Sequence, residues 1–237
     1  MILSELLKHA IEVSARYAEP LAALESRLTQ TQVQLEDLTE YELLRHQMAM
    51  ARLEPLRVAQ PIHLAWFTFD PLEPILRLRI RHAIETVRLF VKLPENQLDC
   101  YLQMIHRPEM VCEYRHVRVD YSEVYLRTNA PTSVIVHELG HWLEESVQSI
   151  KQVALEHIVG RVRHEAVIPL GTGYHRTEFT QKDAFLDPYL GKCQADGSRV
   201  YTELLSVGLE WLYRDPVRLC RFDPQTATFL IDLLESL

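Results

Sequence analysis

The sequence predicts an α+β fold, with a mostly helical N-terminal part followed by a mixed C-terminal part. All seven glycines lie at or after Gly140, so the preceding residues favour long helices with few tight turns. In the second half, short runs of β-branched and aromatic residues appear between segments with helical periodicity. We therefore expect a helical N-terminal region over residues 1–95 and a second domain over residues 96–237.

Three helices are predicted in the N-terminal region. The first covers Ser4–Ala18 and is expected to be interrupted at Pro20. The second covers Leu21–Leu53, where leucines recur at a heptad-like spacing. The third covers residues 74–93 and follows a short strand over residues 62–69. Fewer than three clean heptads favour packing within the chain, while a helix-mediated partner or self-association stays open as an alternative.

Two strands and one helix are predicted next. Strand-like runs cover Val111–Val119 and Glu123–Arg127, with a turn at residues 120–122. A loop with candidate capping residues then leads into a helix that starts near Thr132 and ends near Ser146. The strand before this helix is expected to offer a free edge to an extended peptide.

The last third contains helices separated by a long irregular segment. Helices are predicted over Gln148–His164 and Tyr201–Tyr213, and two short helices open at Asp215-Pro216 and Asp223-Pro224. Residues 167–199 are rich in Gly, Pro, Asp and Tyr and show no helical or strand periodicity. Because loops of this length are usually functional or disordered, we expect this segment to be mobile and to border the functional cleft.

Composition and charge exclude several classes of protein. The formal net charge of −8 disfavours general binding to nucleic acid, because an acidic chain repels phosphate. No apolar run reaches the roughly 18 residues of a membrane span, and the N-terminus does not resemble a signal peptide. No two cysteines form a C-x-x-C pair, so we expect reduced thiols and a cytoplasmic location. The cysteines are Cys100, Cys112, Cys193 and Cys220.

The predicted 132–146 helix carries the pattern H-E-x-x-H, from His137 to His141. Residues at i and i+4 lie on one helix face, so both imidazoles can bind one metal ion. Glu138 is offset around the helix and is placed to act as a general base. Chance gives only about 0.05 matches to this pattern in such a chain. An extended metzincin pattern would need Gly and His where Glu144 and Val147 stand, so that class is excluded.

A third protein ligand is needed for a catalytic zinc site. The segment that contains Thr202, Glu203 and Ser206 resembles the Asn-Glu-x-x-Ser segment of thermolysin-like gluzincins, which predicts Glu203 as that ligand. Thr202 replaces the Asn of the pattern. Val207 replaces an Asp that orients a zinc-bound histidine, so the outer contacts of the site must differ.

Other residues compete for roles in this site. Glu210 lies on the same face as Glu203 but about 10 Å further along the helix, so it is expected to contribute only to packing. His157 and His164 are rival ligands. Gly208 either allows close packing against the helix that carries His137 and His141 or is a plain structural glycine. Candidates for stabilising an oxyanion are Tyr174, His175, Tyr189 and Tyr201.

A wider resemblance covers the chain from the metal helix to the C-terminus. The runs His137–Trp142, Phe185–Lys192 and Thr202–Glu210, together with Asp223-Pro224, are similar to a family of phage-associated zincin-like metallopeptidase domains that are sometimes attached to head-morphogenesis proteins. The resemblance implies a zincin fold and a metal site, and it does not include the N-terminal helices.

These patterns together predict a zinc-dependent metallohydrolase of the gluzincin type. We expect His137, His141 and Glu203 to hold Zn²⁺, Glu138 to act as general base, and a protein or peptide to be the substrate. The alternative is a phage-related structural or assembly protein that carries a metal site with little or no catalysis. A weaker alternative is a host-directed toxin that uses the same chemistry.

Overall fold

The computed structural model of the chain describes residues 3–29, 34–57, 67–69, 73–90, 101–118, 121–199 and 201–236. Its helices are α1 (Leu3–Leu28), α2 (Leu35–Leu53), α3 (Pro74–Phe90), α4 (Thr132–Ser146), α5 (Gln148–Val162), α6 (Leu204–Arg214), α7 (Pro216–Phe222) and α8 (Pro224–Ser236). Its strands are β1 (Phe67–Phe69), β2 (Tyr101–His106), β3 (Glu113–Arg118), β4 (Tyr121–Leu126), β5 (Val167–Pro169), β6 (Phe179–Gln181) and β7 (Lys192–Cys193). The predicted α+β class is confirmed.

The N-terminal helices differ from the prediction. Helix α1 continues through Pro20, so the expected interruption there is wrong. Buried residues lie on both sides of this proline and face α2, α7 and α8, and their burial outweighs the cost of about 3 kcal/mol for an interior proline. The chain instead leaves the helix after Leu28. The predicted single helix over Leu21–Leu53 is therefore wrong, because its two parts belong to α1 and α2.

Helix α3 joins the N-terminal part to the rest of the core. It begins at Pro74 as predicted, while its predicted end and the domain boundary at residue 95 lie outside the described residues. Of the strand predicted over residues 62–69, the described part is β1. One hydrophobic core contains side chains from both sides of that boundary, including Ile80 of α3 and Leu139 of α4.

Two buried histidines lie between α2 and α3. The rings of His46 and His82 stack with centroids 3.9 Å apart and planes 5° apart. His46 Nε2 lies 3.2 Å from the carboxylate of Glu85. Burial, and then the neighbouring charge of His46, lower the pKa of His82 to about 4. Burial also lowers the pKa of His46, so both rings favour the neutral form at neutral pH.

The larger sheet has the strand order β1-β2-β4-β3. Strands β1, β2 and β4 are parallel, and β3 pairs antiparallel with β4, so that Tyr114 lies opposite Val124. The sequence analysis missed β2, although its buried Leu102 and Met104 alternate as in a half-buried strand. The predicted turn at residues 120–122 is also wrong in part, because β4 already begins at Tyr121.

The strand before α4 does not have a free edge. That strand is β4, which lies between β2 and β3, so the expectation that it would pair with a peptide is wrong. Strand β3 pairs antiparallel with β4 on the side opposite β2. Among the described strands, β3 pairs with one neighbour, and both β3 and β4 contact α4.

The segment predicted to be irregular contains a second sheet. Strands β5, β6 and β7 form it in that order, and all pairs are antiparallel. The strands have only two or three residues each, which is too short for a period-two pattern to be visible in the sequence. Most of the segment is irregular as expected, but the three short strands were not predicted, and its mobility stays a prediction.

Helices α4 to α8 follow the sequence more closely. Helix α4 has the predicted limits, α5 ends at Val162, and α6 begins at Leu204. Asp215 and Asp223 accept hydrogen bonds from the backbone N–H groups of Arg218 and Thr226, so both predicted caps are confirmed. No helix in the described part of the chain is both long and apolar enough to cross a bilayer. Three cysteines are free thiols, and Cys100 lies outside the described residues.

Candidate metal centre

The residues predicted as metal ligands lie together where α4 meets the start of α6. His137 and His141 project from successive turns of α4, with ring centroids 4.9 Å apart. Glu203 Oε2 lies 3.0 Å from His141 Nε2 and 3.6 Å from His137 Nε2. One ligand atom from each residue lies within 4.8 Å of the other two. Two imidazole nitrogens and one carboxylate oxygen form the donor set of many catalytic zinc sites, so these residues fit zinc.

The close approach of α4 and α6 depends on Gly140, between the two histidines. A Cβ atom added at Gly140 would lie 2.5 Å from the Cα atom of Ser206. Only a residue without a side chain fits this contact. Of the two interpretations left open for Gly208, close packing against α4 is wrong. Gly208 instead faces α8, where an added Cβ would lie 2.4 Å from Leu230 Cδ1.

The carboxylate of Glu203 is held at both oxygens. Oε2 accepts a hydrogen bond of 3.0 Å from the hydroxyl of Ser206, and Oε1 accepts one of 3.1 Å from Lys192 Nζ. The side chain is only 2% exposed. Burial opposes its charge, but the hydrogen bond and charge of His141, together with the charges of His137 and Lys192, lower the pKa of Glu203 to about 2. The carboxylate is therefore ionised and available as a ligand at neutral pH.

Glu210 contacts the far side of His137, which corrects the expectation that it contributes only to packing. Its Oε2 lies 3.2 Å from His137 Nδ1, while His137 Nε2 faces Glu203. Burial opposes the charge of His137, but Glu210, Glu138 and Glu203 raise its pKa. A carboxylate beside the second nitrogen can orient a metal-binding histidine, so Glu210 is placed for the role that the Asp missing at Val207 has in the gluzincin pattern.

Glu138 lies beside the three possible ligands but does not belong to their cluster. It is 6% exposed, and its Oε2 accepts a hydrogen bond of 2.7 Å from the backbone N–H of Tyr114 in β3. Burial raises the pKa of Glu138, against the charges of His137 and His141 and this hydrogen bond. A buried carboxylate with a raised pKa is suited to accept and return a proton.

These groups lie in a cleft of about 480 Å³. Residues of β3 line it, and so do Tyr189, Lys192 and Tyr201. The segment before α6 therefore borders the cleft as predicted. Lys192 donates a hydrogen bond to the hydroxyl of Tyr189, and the sequence analysis missed its contact with Glu203. Burial opposes its charge, but the charge of Glu203 and the bond to Tyr189 raise the pKa of Lys192, so it stays cationic.

The other predicted candidates lie in different places. Tyr189 and Tyr201 line the cleft, whereas Tyr174 stacks against Tyr189 at 5.4 Å between ring centroids. His175 is exposed and contacts the hydroxyl of Thr177. His157 packs against Phe229, with ring centroids 4.1 Å apart, and His164 is exposed. In the described part of the chain, neither rival histidine belongs to the cluster of possible metal ligands.

Comparisons of this chain with protein-family models, with curated proteins and with solved structures gave no match.

Proposed function

We propose that this protein is a zinc-dependent metallohydrolase of the zincin type and that it cleaves peptide bonds as an endopeptidase. One observation supports this proposal above the others: the ligand atoms of His137, His141 and Glu203 converge in a cleft, with the carboxylate of Glu138 buried beside them. Three protein ligands leave a position for the reacting groups, as catalytic zinc requires.

Each residue has a defined task in the proposed reaction. When bound, zinc polarises the substrate carbonyl and lowers the pKa of water to about 7. Glu138 accepts a proton from the attacking water at its carboxylate and returns it to the leaving amine. Glu210 orients His137, while Ser206 and Lys192 orient Glu203.

The substrate proposed for this site is a protein or peptide. Strand β3 lies along the cleft, so it replaces β4 as the strand beside which an extended peptide would bind. Nucleic acid remains an unsuitable substrate, because glutamates outnumber lysines in the lining of the cleft and disfavour phosphate.

A catalytic role is favoured over a purely structural metal site. A structural site has no need of a general base, yet Glu138 is buried beside the ligands at the cost of desolvation. The phage-related assembly role remains the alternative on sequence resemblance alone, and it predicts metal binding without turnover.

Cleavage of a fluorogenic peptide library tests the proposal. The zinc-loaded parent should cleave at least one sequence, and Glu138→Gln should lose that activity while it keeps its zinc. Glu145→Gln is the matched control, because Glu145 also lies on α4 and lines the cleft but pairs with Lys151 at 2.7 Å. Activity that persists in Glu138→Gln, or after zinc is removed, would contradict the proposed mechanism.

A cytoplasmic location is part of the proposal. The described cysteines, Cys112, Cys193 and Cys220, are free thiols, as expected in a reducing compartment. Fractionation of cells that produce the protein should place it in the cytoplasmic fraction, and recovery from another compartment would contradict this location.

A further inference from the structure

We propose that Glu144 and Thr202 form a positioning link that holds the backbone of Glu203 in place relative to His141. The inference rests on the proposed metal site and assigns a role to two residues outside the ligand set. Glu144 lies one helical turn after His141 on α4, and Thr202 directly precedes Glu203. Both residues are buried, with Glu144 1% exposed and Thr202 2% exposed.

The link consists of two hydrogen bonds to one carboxylate. The backbone N–H of Thr202 donates to Glu144 Oε1 at 2.7 Å, and its hydroxyl donates to Glu144 Oε2 at 2.9 Å. The same hydroxyl accepts a hydrogen bond of 3.2 Å from the backbone N–H of Leu204, the first residue of α6. Both neighbours of Glu203 are therefore tied into one network with α4.

This network replaces the capping hydrogen bond that is missing at the start of α6. Glu203 occupies the N-cap position, but its side chain faces the histidines and makes no capping hydrogen bond. An uncapped helix start leaves backbone N–H groups without partners and frays easily. Thr202 supplies the missing acceptor to Leu204, so Glu203 can serve as a ligand from a helix end that stays ordered.

The link also works with the Gly140 contact. Gly140 of α4 contacts Ser206 of α6. Glu144 lies four residues after Gly140, and it binds Thr202, which lies four residues before Ser206. These two contacts lie about one helical turn apart, roughly 5–6 Å, and the His141–Glu203 contact lies between them. Ser206 and Lys192 orient the carboxylate of Glu203, whereas Glu144 and Thr202 fix its backbone.

A role limited to packing does not account for a carboxylate at this position. Burial raises the pKa of Glu144 to about 7, although both hydrogen bonds from Thr202 favour its charged form. An apolar side chain at this position would avoid that desolvation cost. The glutamate is useful because it can accept both hydrogen bonds from Thr202 at once.

Zinc affinity of single and double variants tests the link. Thr202→Val removes the hydroxyl without changing the size of the side chain, and Glu144→Gln leaves one acceptor oxygen in place of two. We expect each variant to bind zinc about 10–100-fold more weakly, as is typical for residues that orient a ligand. The zinc affinity of the double variant should be no lower than that of the single variant with the lower affinity, because both substitutions break the same link. Thr202→Ser should bind like the parent, and Glu156→Gln is the control, because Glu156 is exposed on α5 and lies outside the cleft.

The measurement is competition for zinc with a chromophoric chelator, at a temperature where circular dichroism shows every variant folded. A loss of packing alone would lower the unfolding temperature without changing the zinc affinity of the folded protein. If the parent binds zinc and folded Thr202→Val and Glu144→Gln bind within twofold of it, the link has no positioning role. If the parent itself binds no zinc, the proposed function fails and this inference fails with it.

Discussion

Replacement of Gly140 by alanine should separate the two helices that carry the proposed ligands. The added Cβ would lie 2.5 Å from Ser206 Cα and 2.9 Å from Ser206 N. Ordinary contacts between carbon atoms need about 3.5–4.0 Å, so α4 and α6 must move apart locally by roughly 1 Å. The obstructing atoms belong to the backbone and cannot rotate away. Metal–ligand distances tolerate only about 0.2 Å, so the variant should bind zinc roughly 100-fold more weakly.

The effect on stability should be smaller than the effect on zinc. Overpacking lowers the free energy of unfolding by about 1–3 kcal/mol, whereas alanine in place of glycine inside a helix raises it by about 1 kcal/mol. The metal-free variant should therefore fold, with a free energy of unfolding lower than that of the parent by roughly 0–2 kcal/mol.

Gly160 provides the matched control. It lies within α5, and a Cβ added there meets nothing within 4 Å. Gly160→Ala should therefore leave zinc affinity unchanged and stabilise the protein by up to about 1 kcal/mol. The assays are chelator competition for zinc affinity and urea unfolding of the metal-free proteins. A Gly140→Ala variant that matches Gly160→Ala in both assays would refute the argument that helix spacing sets the ligand geometry.

Three other outcomes are expected. Glu138→Gln should bind zinc like the parent and lower turnover about 10²–10⁴-fold, and parental turnover would remove Glu138 from the role of base. In chelator competition, Glu203→Ala should lose most of its zinc affinity, whereas the zinc affinity of Glu210→Gln should fall about 10–100-fold. A larger loss in Glu210→Gln than in Glu203→Ala would show that the two roles are exchanged. Because the pKa of His82 is lowered to about 4 in the folded protein, its contribution to stability is present above pH 6.5, the usual pKa, and is lost as the pH falls towards 4. The unfolding temperature of the parent should fall between pH 6.5 and 4 more steeply than that of His82→Phe, and equal slopes would contradict this assignment.

Local signals in the sequence were sufficient for the elements that depend on neighbouring residues. The limits of α4 and the caps Asp215 and Asp223 were predicted, because capping and helical periodicity act over a few residues. Pro20 was misinterpreted because burial of α1 on either side of it is a property of the tertiary fold. The short strands β5, β6 and β7 were missed because two or three residues carry no periodicity.

In the candidate site, too, local sequence patterns predicted some features, whereas contacts between distant residues were not predicted. The positions of His137 and His141 follow from helical spacing, whereas Glu203 was predicted from the resemblance of its segment to the gluzincin pattern. The contacts that surround these ligands join residues far apart in the chain, such as Glu144 with Thr202 and Lys192 with Glu203. No local pattern specifies such pairs, because they depend on how α4, α6 and the second sheet pack together.

Direct location of zinc in crystals of the protein tests the central claim. The protein is purified without chelator, supplied with zinc, and examined by anomalous diffraction at the zinc absorption edge. The account predicts one peak per chain, about 2.0–2.2 Å from the Nε2 atoms of His137 and His141 and from a carboxylate oxygen of Glu203. No transition metal after zinc has been added back, or a peak that these three residues do not coordinate, would contradict the account.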